Sequence, residues 1–299
     1  MPPPRRKAAT GLLVGGSKPA TLIHRLLASC PSVNTRRAYA HGIDKLYTFA
    51  AGRPITLTLL LEWRAEMAKT LATASVNRHI TAARCLIRQA QLTRAIGVDE
   101  AWELLQISGL PYRGARIGNW LTVDQTNKIL KVPSGNAARS QRNYCILAIL
   151  AGCALRVGEL SRMTVDKIQL RDGRWIFADI EGKGGRVRSV AIPRWVKDAI
   201  DRWRKSAGIT SGRLIRQLTL KDGLSTQGIW DIVSKAAAKI GVENFGPHDL
   251  RRTCAKLCKA KGRDIEQIQY MLGHASLVTT QRYLGTVQDL QHAVNDDIL

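Results

Sequence analysis

The stretch 109–120, GLPYRGARIGNW, is the strongest constraint on how this chain can fold. It places one proline, three glycines and two arginines in twelve residues, a composition unsuited to a helix interior. It reads as a linker between two domains. The 299 residues are enough for each side to bury its own core.

Before the linker, apolar residues recur with helical period. Helices are predicted at 21–28, 35–51, 58–71, 75–92 and 99–107. Tyr39, Ile43, Leu46, Tyr47 and Ala50 form the stripe of the second, with Asn34 as its cap. Residues 19–108 are therefore expected to form an all-α domain. Its outer faces carry Arg36, Arg37, Arg78 and Arg84, either contacts to an anionic partner or a solvated face. His24, His41 and His79 read as surface or packing residues. Residues 1–18 read as a disordered basic arm. The apolar run 12–14 is too short for a signal-peptide core, so a cytoplasmic protein is expected.

After the linker the pattern becomes mixed. Thr122 with Gln125 reads as a capping box opening a helix at 122–130. A nearly all-apolar segment, 141–151, is a buried central helix, followed by a short one at 156–163. Residues 165–168 and 174–192 supply short strands, and 193–207 and 226–240 are amphipathic helices. Trp195, Val196, Ile200 and Trp203 form the stripe of the first of these. The expected class is mainly α with a small β-sheet in the C-terminal domain, residues 121–299.

Net charge is +23, with 46 basic against 23 acidic residues. Such a surface attracts polyanions, duplex DNA above all. No run of eighteen apolar residues occurs, so no membrane span is expected. The six cysteines sit mostly in apolar helical contexts and read as core residues. Cys254 and Cys258 are one turn apart, but nothing completes a zinc pattern, so no metal is expected. Cys153, beside the residues discussed next, is a candidate oxidation-sensitive thiol.

Residues 246–284 carry the chemistry. Pro247 suits a first helical turn, and His248 and Arg251 share the face of that helix. Asp264 caps a second helix and Gly273 ends it, which leaves His274 in a turn. Ser276 caps a third, which carries Tyr283 near its end. A phenol titrates near 10 and is a poor nucleophile until cations stabilise it. Arginine forks match phosphate oxygens, and imidazoles donate to them or move protons.

HDLRR, then LGH, then Tyr283 nine residues after His274 resembles the second conserved box of the tyrosine recombinases, the phage-type integrases. The family usually has His after the Arg of HxxR; Arg252 stands there. Residues 146–160, ILAILAGCALRVGEL, resemble the family's first box, with Arg156 and its helix partner Glu159. The turn between Gly182 and Gly184 offers Lys183. The resemblance covers most of the chain. It implies an all-α core-binding domain and a catalytic domain around duplex DNA carrying paired recombination sites. It implies Tyr283 as nucleophile, Arg156 and Arg251 as phosphate clamps, His248 and His274 as proton-transfer and hydrogen-bonding groups, Lys183 as acid and Glu159 as support. Arg186 and Arg188 are expected on backbone phosphates, and Gln227, Lys235 and Lys239 on a DNA-facing helix. It also implies a tetramer on DNA, with no cofactor or metal. The tail, 284–299, is expected to dock on a neighbouring subunit.

Three alternatives compete. A type IB topoisomerase shares the tyrosine chemistry, but the separate N-terminal bundle and the LGH spacing fit recombinases better. A non-catalytic DNA-binding regulator would not need all six residue types. A metal-dependent transposase would need a carboxylate triad, and no such arrangement is recognisable. Length and two-domain layout resemble Xer-type enzymes and simple transposon or phage integrases alike; the high charge and basic N-terminus point to a mobile-element enzyme, with an Xer-type dimer resolvase as the alternative.

Overall fold

The computed structural model describes residues 19–111, 119–182, 185–219 and 222–285. The chain divides into two compact units between Ala115 and Arg116, inside the glycine-rich stretch. Each unit is described by itself.

The first unit holds α1 (Ala20–Ala28), α2 (Val33–Ala50), α3 (Leu57–Thr70), α4 (Thr73–Leu92) and α5 (Val98–Leu105). α2 starts earlier than the sequence predicts, because Ser32 and not Asn34 caps it; the Ser32 hydroxyl accepts from Thr35 N at 3.1 Å. The predicted stripe is the buried one: Ile43, Leu46, Tyr47 and Ala50 pack with Leu60, Trp63, Ile80 and Leu86. His79 is buried in that core beside the rings of His41 and Trp63. Arg36, Arg37 and Arg78 are exposed, whereas Arg84 is half-buried.

The second unit is built around α7 (Ala138–Cys153). Cys145 to Leu150 are all fully buried, which explains an apolar run with no polar face. α6 (Val123–Lys131) precedes it with the predicted Thr122–Gln125 capping box. α9 (Arg194–Ser206) and α11 (Pro247–Ala260) pack on α7. On α9 the stripe is Val196, Ile200 and Trp203, all buried, while Trp195 is 40% exposed. The stripe follows the 3.6 period, and Trp195 falls one residue off it, against Gly152.

Three antiparallel strands form one sheet in the order β1 (Ile168–Arg171), β2 (Arg174–Glu181) and β3 (Val187–Ala191). The predicted strand at 165–168 is instead a 3-10 turn over Val165–Lys167, with β1 beginning at Ile168. β2 pairs Phe177 with Val190 and Ile180 with Arg188, an irregular register that bends the hairpin. The short α8 (Val157–Arg162), α10 (Thr226–Ala238), α12 (Ile265–Leu272) and α13 (Leu277–Leu284) complete the unit. No helix among the described residues is long and apolar enough to cross a membrane.

Candidate active site

Arg156 is the N-cap of α8, where a cation alone would oppose the helix dipole. Glu159, in the first turn, resolves this. Its carboxylate accepts from Arg156 N at 2.8 Å and from the Arg156 guanidinium at 2.7 Å. Arg156 also reaches the carbonyl of Gly273 at 3.3 Å, which ties it to the turn after α12.

The other side of Glu159 is held by Arg188. Both guanidinium nitrogens reach the carboxylate, at 2.9 and 2.8 Å, and its Nε donates to Met271 O at 2.9 Å. Arg188 therefore differs from expectation: its side chain is only 10% exposed and is an internal brace, not an outward phosphate contact. Strand alternation is the reason. Arg188 and Val190 lie two apart on β3, and Val190 is buried. Arg186 is exposed. Burial pushes the Glu159 carboxyl upward, but the Arg188 and Arg156 hydrogen bonds outweigh it and hold it at about 2. Glu159 is a carboxylate at neutral pH.

Pro247 occupies the first turn of α11, and the Asp249 carboxylate accepts from Gly246 N at 3.0 Å. Arg251 then points into the unit and is 1% exposed. Its two terminal nitrogens donate to the carbonyls of Ala154 and Leu272, locking it between the end of α7 and the end of α12. Its Nε is buried with no hydrogen-bond partner among the described residues. Burial first, and then neighbouring Arg156, bring it down to about 10, so it remains a cation. A buried cation with an unpaired N–H is costly unless an anion arrives.

His274 follows Gly273, which sits in the left-handed region at φ 61° and ends α12. Its Nδ1 lies 3.0 Å from the hydroxyl of Thr280, itself fully buried. Burial, Arg251 and Arg156 lower the imidazole to about 4. His248 is exposed, but partial desolvation and the adjacent Arg252 and Arg251 also lower its imidazole. Both rings are therefore neutral at pH 7.

Tyr283 lies between them. Its ring makes edge contacts with His248 at 5.5 Å and His274 at 5.2 Å. Its hydroxyl donates to His248 O at 3.3 Å. Burial pushes the phenol up to about 12, against the pull of Arg251 and Arg252. The cluster thus combines a neutral phenol, two neutral imidazoles and several arginines, with Glu159 and Asp249 as its carboxylates.

The structure brings Arg156, Glu159, His248, Arg251, His274 and Tyr283 together from sites more than one hundred residues apart in sequence. Lys183 lies outside the described residues, as does the tail beyond Gly285. Gly182, at the base of the hairpin, lies against the site: a Cβ there would be 3.5 Å from an Arg156 guanidinium nitrogen. Gln227 and Lys235 are exposed on α10 and Lys239 is exposed at its C-cap; Gln227 bonds Asp231 at 2.9 Å. Cys153 is fully buried and its thiol is pushed up by burial, which contradicts its reading as an oxidation-sensitive group. Among the described residues, no three His, Cys, Asp or Glu side chains are placed to hold a metal. The sequence reading missed Thr280, whose signal was its six-residue spacing from His274, and the bracing role of Arg188.

The sequence model of the phage integrase family matches residues 119–288, more than half of the chain and all of this site. The chain belongs to that family, the tyrosine recombinases. Its curated relatives include tyrosine recombinase XerA of Pyrococcus horikoshii, 31% identical over 88% of this chain and 87% of the relative. Tyrosine recombinase XerC of Thermodesulfovibrio yellowstonii is 29% identical over 91% of this chain and 92% of the relative. Among solved structures, XerH recombinase bound to its difH substrate superposes with a TM-score of 0.74 at 19% identity, over 91% of this chain and 82% of that one. The Tn1549 transposon integrase with transposon end DNA gives 0.71 at 16% identity, over 89% and 94%. At such identities these two likenesses establish the fold. Tyrosine recombinases cleave and rejoin DNA through a tyrosine intermediate, and this chain is an enzyme of that type.

Proposed function

We propose that the chain recombines duplex DNA at paired specific sites, with Tyr283 as nucleophile. The observation that carries this reading is Arg251: a buried guanidinium with an unpaired Nε, beside a phenol set between two neutral imidazoles. That arrangement suits an anion. A scissile phosphate supplies one, with its non-bridging oxygens on Arg156 and Arg251.

The Tyr283 oxygen attacks phosphorus and the bond from phosphorus to the 5′ oxygen breaks. The phenol proton passes to His248, which is neutral and able to accept it. In the tautomer whose Nδ1 accepts from the Thr280 hydroxyl, His274 keeps its proton on Nε2 and holds a phosphate oxygen with that N–H as a hydrogen bond. Lys183, by family resemblance, protonates the leaving 5′ oxygen. The 3′-phosphotyrosine preserves the bond energy, so a 5′ hydroxyl of a second duplex reverses the step. Two duplexes need four such exchanges, which a tetramer on DNA provides. The exposed Arg36, Arg37, Arg78, Arg186, Lys235 and Lys239 are the candidate phosphate contacts.

The recombination serves a mobile element in the reading we favour, because of the +23 charge. The likeness to XerC and XerA across about nine-tenths of the chain supports the second reading, Xer-type resolution of DNA dimers. The test of the chemistry is a nicked suicide substrate, which traps the covalent complex, compared between wild type and Tyr283→Phe. Wild type alone forms the adduct if the reading holds. An adduct that survives in Tyr283→Phe overturns the assignment of the nucleophile.

A further inference from the structure

Arg252 stands where the family usually has His, and it takes no part in the chemistry described above. Its place in the structure is specific. Arg251 and Arg252 are consecutive on α11 and point different ways. Arg251 enters the unit, while Arg252 turns to α13, and its guanidinium carbon lies 4.8 Å from the centroid of the Tyr283 ring. The Arg252 side chain is 16% exposed, so water screens it little.

Asp249 fixes that pose. It stands one turn earlier on the same face of α11, and its Oδ1 accepts from Arg252 at 3.3 Å. Its Oδ2 accepts from Gly246 N at 3.0 Å, so the carboxylate is anchored to the helix start. The chain of contacts runs from the cap of α11 through Asp249 and Arg252 to the phenol. The charged and titratable groups around Tyr283 are then His248, Asp249, Arg251 and Arg252 on α11, with His274 in the turn after α12.

We propose that Arg252 is a positioning residue for Tyr283, holding the ring between the two imidazoles and offsetting the negative charge that forms on its oxygen. A guanidinium over a neutral phenol gains only from the ring quadrupole. Once the oxygen becomes anionic the same guanidinium gains from a full charge, in a site that excludes much water. The interaction is therefore stronger in the ionised state and in the transition state leading to it, the condition for raising the rate and not merely the affinity. Arg251 also lowers the phenol, and more than Arg252 does, but its terminal nitrogens are held by the carbonyls of Ala154 and Leu272, so holding the ring falls to Arg252. A His at this position would be neutral at pH 7 in such surroundings, as His248 and His274 are.

The inference rests on Tyr283 being the nucleophile, and its test separates the two. Difluorotyrosine, whose phenol is more acidic, is incorporated at position 283 and titrated by fluorine NMR without DNA. The comparison is among the native Arg252, Arg252→Gln and Arg252→Lys, with Arg252→Met in reserve should the glutamine variant fail to fold. The expected result is an ionisation constant on the order of tenfold smaller in Arg252→Gln, with Arg252→Lys close to the native protein. A change below about threefold in Arg252→Gln, or an equal change in Arg252→Lys, means packing alone and overturns the proposal. With natural tyrosine, adduct formation at saturating DNA should slow about tenfold in Arg252→Gln while DNA affinity holds. Loss of affinity with an unchanged rate would also overturn it. Failure of Tyr283 to form any adduct would refute the nucleophile and leave the titration result standing.

Discussion

Replacing Arg188 by methionine removes the two hydrogen bonds that hold the far side of Glu159, whose side chain is only 3% exposed. Burial pushes this carboxyl up, and the arginine contacts bring it to about 2, against about 4.3 in an unfolded chain. The difference corresponds to roughly 3 kcal/mol of folding stability from the whole network. Breaking a buried pair from one side typically costs about 3–5 kcal/mol, because the remaining charge is left uncompensated. Arg156 still contacts Glu159, so we expect about 2–3 kcal/mol for Arg188→Met at pH 7. The sign with pH follows from a depressed carboxyl. Its contribution is complete above about pH 5 and is lost as pH falls toward 2. The gap between wild type and variant should therefore narrow on acidification. Glu159→Gln added to Arg188→Met should recover about 1–2 kcal/mol, since the buried carboxylate that loses Arg188 is gone, while Arg156, one-third exposed, still reaches water. Urea unfolding of the C-terminal unit, fitted as its own transition, measures wild type, the two single variants Arg188→Met and Glu159→Gln, and the double variant. A cost below about 0.5 kcal/mol, or strict additivity in the double variant, would refute the bracing role.

Thr280→Val removes the partner of His274 Nδ1; adduct formation should fall on the order of tenfold or more, with DNA affinity within about twofold in a gel-shift assay. Phosphate or DNA in the site stabilises imidazolium, so the His274 titration, about 4 without ligand, should move upward on adding oligonucleotide, as read by NMR. Gly273→Ala meets Arg188 Cδ at 2.9 Å and keeps a left-handed φ of 61°; it should destabilise by about 1–3 kcal/mol in thermal unfolding. Arg251→Lys cannot reach the carbonyls of Ala154 and Leu272 together; cleavage should drop by about one hundredfold or more.

Local signals were legible because their causes are local. The Thr122–Gln125 box, Pro247 in a first turn and Gly273 at a helix end each depend on a few adjacent residues, and each stands where its chemistry places it. The cap of α2 was harder, because Ser32 and Asn34 are both good caps and the choice between them is a matter of two residues. The family's residue spacings located the cluster, but its internal wiring depends on which face of each element is buried. Arg188 reads as one more cation on a basic hairpin until β3 is seen to turn it inward with Val190. Arg252 reads as a neutral departure until α13 is laid across α11, putting the phenol beneath it. Thr280 is a polar residue in a short helix until burial forces its hydroxyl to find a partner.

The most direct test of the central claim is to trap the covalent protein–DNA complex on a suicide substrate, digest it, and locate the nucleotide-bearing peptide by mass spectrometry. The account predicts that the nucleotide is attached through a 3′ phosphate to Tyr283. Attachment at any other residue, or DNA cleaved in the presence of active protein with no attached peptide, would contradict it.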